Sequence, residues 1–183
     1  MIIKTFSKNQ NWAKLCPWMG IIAIALLFLY SKPTEPIFWA LINLPLYLFH
    51  QTEEHYWPGG FKHFINQSVF CLPEGQETLT DITIFWINIL LVWVAFAVFG
   101  TLVFVNIGFG LVIIIFSVIN CLLHIIQGIK FRCWNPGLVV ASFQFIVSLY
   151  AGYFITSHGL NHSIPWWISG ILFSIIVHAL LFH

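Results

Sequence analysis

The sequence predicts an all-α protein, a polytopic membrane helical bundle of six transmembrane helices with both termini on the cytoplasmic side. Three observations predict it. Hydrophobic residues make up 60% of the 183 positions and charged residues only 7%, with a mean hydropathy of +0.91; a soluble domain carries roughly a quarter charged residues. Apolar runs recur at the length of a bilayer-spanning helix, about 20 residues. The basic side chains also segregate to one side of the bundle those runs imply.

The first span is expected over about 11–30, ending in the proline-bracketed turn "SKPTEP". Lysines precede it as in a signal peptide. The lack of a small-residue cleavage site and the further spans behind it favour a retained membrane helix. The second span begins at Pro36, a good first-turn residue. Its purely apolar part ends at Phe49 after 14 residues, which is short of a crossing. Extending the helix through "HQTEEHYW" to the breaker Pro58-Gly59-Gly60 gives a span over 36–57 of the right length. The polar motif is thereby predicted to be the last two turns of a membrane helix.

The segment 61–72, "FKHFINQSVFCL", reads as an amphipathic interfacial helix. Further spans are expected over 80–105, 107–131, 136–156 and 164–183, with tight turns at "VNIGFG" and "SHGLNHSIP". Together these make one integral membrane domain over 1–183. With the N-terminus inside, Lys4, Lys8, Lys14, Lys62, Lys130 and Arg132 are cytoplasmic and only Lys32 is outside, six of seven on one side. A formal charge of +1 with no basic run excludes a nucleic-acid partner. Cys16, Cys71, Cys121 and Cys133 show no paired or metal-type spacing and read as fillers.

Polar groups inside lipid are costly and tend to face the bundle interior. In this topology His50, Glu53, Glu54, His55, Asn88, Asn120, His124, Gln127, Gln144 and His178 all fall in the cytoplasmic half. At about 100° per residue, His50, Glu53 and Glu54 share one helix face, while His55 turns toward the rim. Asn120, His124 and Gln127 follow i, i+4, i+7 spacing on another helix. Two adjacent glutamates in low dielectric need a cation or a proton between them. Imidazole plus carboxylate is a ligand set for zinc or non-haem iron. The expectation is one divalent ion, Zn or Fe, held by His50, Glu53 or Glu54, and His124, with His178 as a further ligand. The other glutamate would be the general base. His55, Asn88, Asn120, Gln127, Arg132, Asn135 and Gln144 are candidate substrate contacts. The amides are equally suited to bonding helix to helix, and Arg132 to anchoring at headgroups.

His50-x-x-Glu53-Glu54, followed by "HYWPGGF", resembles the HXXEE-domain family of small bacterial membrane proteins. "NCLLHIIQGIKFRCWNPGLVVA", with His124, Arg132 and Asn135-Pro136-Gly137, is similar to that family's second block. The resemblance covers about Ile37 to Phe154. It implies a bacterial inner-membrane location and maps the family's histidine and glutamates onto His50, Glu53, Glu54 and His124, without implying a reaction. The leading expectation is a metal-dependent membrane enzyme, a hydrolase or oxidoreductase, acting on a lipid or other hydrophobic substrate. Alternatives are a metal-free acid/base isomerase of the sterol-isomerase type and a small ion- or proton-binding transporter.

Overall fold

Where lipid is the solvent, backbone polar groups must bond within their own segment. In the computed structural model, which describes residues 2–181, every regular element is accordingly a helix and none of the described residues forms a strand. The last two positions of the expected sixth span, Phe182 and His183, lie outside the described residues.

Helix α1 (Ile2–Ser7) leads into a kinked stretch, Lys8–Leu15, in which Asn9 and Gln10 take positive φ of 52° and 55°. Helix α2 (Cys16–Tyr30) follows. The chain then turns and runs helically from Pro36 to Tyr56 in three pieces: α3 (Pro36–Leu41), α4 (Asn43–Gln51) and a π-helical turn, Thr52–Tyr56. The step between α3 and α4 has a cause in Pro45, whose ring crowds the carbonyl four residues back, at Leu41. Trp57 N–H donates to the Thr52 carbonyl at 2.7 Å, the wide i to i+5 pattern. The turn closes at Gly59 and Gly60, both at positive φ.

A short α5 (Phe61–His63) continues as a π-helical stretch, Phe64–Val69. This segment, expected to be interfacial, packs its apolar side chains against the end of the bundle. Phe61, Phe64 and Ile65 are buried against Trp12, Cys16, Leu79, Ile84 and Phe85. Asn66 ties it down. Its Nδ2 donates to the carbonyls of Lys62 and Leu79 at 3.0 and 2.8 Å, and its Oδ1 accepts from the amides of Thr78 and Leu79 at 2.9 Å each. Lys62 pairs with Glu77 at 2.9 Å and Asp81 at 3.1 Å. Partial burial depresses the Lys62 amine, and the bonds to Glu77 and Asp81 more than reverse this, holding it above the usual lysine value.

Next come α6 (Asp81–Trp86), a π-helical stretch Ile87–Val94 and α7 (Ala95–Leu102), which together form one long rod. Helices α8 (Gly108–Phe131), α9 (Leu138–His158) and α10 (Ile164–Leu181) complete the chain. Among the described residues, four helices are long and apolar enough to cross a membrane: Ile3–Tyr30, Asp81–Leu102, Gly108–Phe131 and Leu138–His158. Helix α10 is apolar but shorter. Helix α8 is the central post, with α9 and α10 packed along it and α3, α4 and α7 against its remaining sides. Leu111, Ile113, Ile114 and Phe116 on it are almost fully buried. Gly110 lets α3 approach closely, since a Cβ there would stand 2.5 Å from the Ala40 Cβ. The π-turn, the C-terminal half of α8 and the start of α9 therefore meet at one end of the bundle.

Candidate metal site

That meeting place gathers the motif. His50, Glu53, Glu54 and His55 are all buried, as is His124. His50, Glu54 and His124 each offer one ligand atom within 4.8 Å of the other two. His50 Nε2 is 3.5 Å from Glu54 Oε2, and His124 Nε2 is 3.6 Å from Glu54 Oε1. These separations are long for hydrogen bonds, which cluster near 2.7–3.0 Å. They suit atoms sharing one cation, because ligands about 2.1 Å from an ion stand roughly 3 to 3.5 Å apart. His50 is 0% exposed, and neither ring nitrogen has a partner at ordinary hydrogen-bond length; the ring faces the Glu54 carboxylate at 3.5 Å and the Gly137 backbone. A buried imidazole left so is expensive. A bound ion would satisfy one nitrogen.

The two glutamates part company. Glu53 Oε1 accepts from the Val139 amide at 3.1 Å and Trp134 Nε1 at 3.2 Å, and Oε2 accepts from the Val140 amide at 2.7 Å. Val139 and Val140 are in the first turn of α9, whose N-cap residue, Gly137, has no side chain to offer. Glu53 thus caps α9 from another helix, its charge set against the positive end of that helix. Of the two glutamates expected as ligand or base, Glu54 stands in the trio, while Glu53 spends three of its acceptor positions at the start of α9.

His55 differs from the expected orientation only, and it lines the cavity described below. Uniform α-helical geometry turned it to the rim, yet it is buried, with Nε2 3.1 Å from Glu54 Oε2. The wide turn is the reason: it fits an extra residue into the arc, so 53, 54 and 55 all point into the protein. The His55 ring packs on Trp12 at 5.0 Å and Phe61 at 5.2 Å between centroids. Asn88 Nδ2 approaches His55 Nε2 at 3.5 Å, while Asn88 Oδ1 accepts from Gln51 Nε2 at 2.7 Å. Gln51 Oε1 in turn accepts from Trp93 Nε1 at 2.6 Å. Asn88 is therefore a member of this network. Gln51, fully buried, was missed by sequence reasoning although it stands inside the motif.

Asn120, Gln127 and His178 line a cavity of ≈ 50 Å³ together with Glu54, His55 and His124. His178 stands outside the ligand trio. Its Nδ1 lies 2.7 Å from the Ser174 carbonyl and its ring packs on Phe116, leaving Nε2 without a partner. Asn120 Oδ1 is likewise buried and unpartnered. Asn135 lies beside His124, with its Oδ1 3.0 Å from His124 Nδ1 and its Nδ2 donating to the His124 carbonyl at 2.9 Å. It is buried among the site's supports and is not a lining residue of that cavity. Gln144 is brought elsewhere: its Nε2 donates to Asn43 Oδ1 at 3.0 Å, an oxygen that also accepts from Ser148. Its role is to join α4 to α9. Arg132 is exposed at the end of α8, with φ at +51°.

Gly137 is the close fit of the site. Its φ is +95°, and a Cβ would stand 2.7 Å from His50 Cε1 and 3.1 Å from His124 Cε1. Any side chain would press on both imidazoles at once.

Fold and site define a class: an all-helical protein with helices long and apolar enough for a membrane, carrying a buried histidine–glutamate cluster at one end. The family model described as "Protein of unknown function with HXXEE motif" matches residues 41–151, and the chain belongs to that family. No curated protein and no solved structure matches it. The trio, Glu53, Asn88, Asn135 and Gly137 lie within the matched stretch; Trp12 and His178 lie outside it.

Proposed function

We propose that the protein is a bacterial inner-membrane metalloenzyme in which His50, Glu54 and His124 hold one divalent ion, Zn or Fe. The observation that carries this reading is the convergence of three buried ligand atoms within 4.8 Å of one another, with both imidazoles standing 3.5–3.6 Å from the Glu54 carboxylate, beyond ordinary hydrogen-bond length. Two histidines and one carboxylate leave coordination positions open for a reactant. When bound, the ion supplies Lewis acidity toward an oxygen of that reactant. His55, within 3.1 Å of Glu54 and lining the same cavity, takes the proton-handling role, while Glu53 is bonded to the start of α9. Six crossings are reached by adding the Pro36–Tyr56 path and α10 to the four long helices. The six-to-one split of basic residues favours termini and site on the cytoplasmic side.

A cavity of ≈ 50 Å³ admits a few water-sized groups. The reading therefore gives the cluster a small polar group of a hydrophobic, membrane-borne substrate, whose apolar remainder stays in the bilayer. The test is metal analysis of detergent-purified protein beside His50→Ala and Glu54→Gln. About one Zn or Fe per chain in the wild type, lost in both variants, is the expected result. A monodisperse wild type that takes up neither ion on incubation overturns the proposal.

A further inference from the structure

A histidine binds a metal through one nitrogen, and the hydrogen bond made by its other nitrogen decides which one is free. For His124 that choice is written in the Trp134–Gly137 loop. Asn135 touches His124 twice. Its Nδ2 donates to the His124 main-chain carbonyl at 2.9 Å. A carbonyl only accepts, so the amide end facing it must be the NH₂, and the end 3.0 Å from His124 Nδ1 must be the oxygen. An amide oxygen accepts only. Nδ1 therefore carries the hydrogen, and in the neutral ring Nε2, the atom that faces Glu54 at 3.6 Å, keeps its lone pair.

Asn135 is 1% exposed and cannot easily swing away. Gly128, one turn on from His124, leaves it room: a Cβ there would stand 3.4 Å from Asn135 Nδ2. From this geometry we propose that Asn135 is a positioning residue, which fixes His124 in the Nδ1–H tautomer and aims Nε2 at the metal position. The inference rests on the metal reading above for its consequence, though not for the tautomer itself.

Selective ¹⁵N labelling of histidine in the metal-free wild type reads the tautomer directly, with the His124 signal identified by its disappearance in His124→Gln. Protonation at Nδ1 is expected; protonation at Nε2 overturns the inference, whether or not metal binds. The second arm measures Zn²⁺ affinity of wild type, Asn135→Ala and Asn135→Asp, each checked for monodispersity and thermal midpoint. Loss of the alanine variant's orienting bond should weaken Zn²⁺ binding about 10- to 100-fold. The aspartate can still accept from Nδ1–H and should recover part of that loss. Equal affinity in wild type and Asn135→Ala overturns the positioning role. A wild type that binds no Zn²⁺ defeats the metal proposal instead and leaves the tautomer measurement to decide this one.

Discussion

Asn66 and His50 are both almost fully buried polar side chains at the same end of the bundle, and they are treated in opposite ways. Asn66 makes four hydrogen bonds, using both amide hydrogens and both lone pairs of its oxygen. His50 makes none. A satisfied buried polar group specifies structure; an orphaned one costs free energy unless something outside the chain completes it. The first is self-sufficient architecture, and the second is consistent with a ligand position.

Substitutions test that contrast. Asn66→Ala should have the largest effect, because it strands the buried amide and carbonyl of Leu79 and removes the partner of the part-buried Thr78 amide. About 3 kcal/mol is expected, read as a fall of roughly 10 °C in thermal midpoint. Glu53→Gln comes next. The new NH₂ cannot accept from a backbone amide, and the negative charge on the α9 terminus is lost, for about 1–2 kcal/mol without direct loss of a metal ligand. The smallest effect on the metal-free protein should come from His50→Leu, which replaces an imidazole lacking a hydrogen bond of ordinary length with an apolar group. The midpoint should stay within about 0.5 kcal/mol of the wild type or rise. The same variant should lose the metal-linked stabilisation of the wild type, about 2.7 kcal/mol at a hundredfold excess over Kd. A His50→Leu protein as unstable as Asn66→Ala would erase the distinction.

Much of this arrangement was legible in the sequence, for identifiable reasons. Length and apolarity mark the four long helices, and the shortness of the apolar run before His50 pointed to a helix that continues through the motif; the backbone is helical there to Tyr56. His50 and Glu54 at i, i+4 stand together with His124, on facing helices. What could not be read is the division of labour between Glu53 and Glu54. It depends on a π-turn that no periodicity reports, and on bonds to Trp134, Val139 and Val140 from 81 to 87 positions away. Asn135 and Gln144 were both ordinary amides to the eye. Only their neighbours, His124 for one and Asn43 for the other, tell them apart.

The wide turn at Thr52–Tyr56 has a consequence for how the molecule is assembled. Three consecutive side chains reach three different walls: Glu53 the start of α9, Glu54 the histidines of α4 and α8, His55 the Trp12 ring near the N-terminus and Asn88 on the Asp81–Leu102 rod. The turn acts as a surveyor's station, fixing by triangulation the positions of segments far apart in the chain. The cluster therefore reaches its full geometry only when the N-terminal segment and α9 are both in place, which ties completion of the site to completion of the fold.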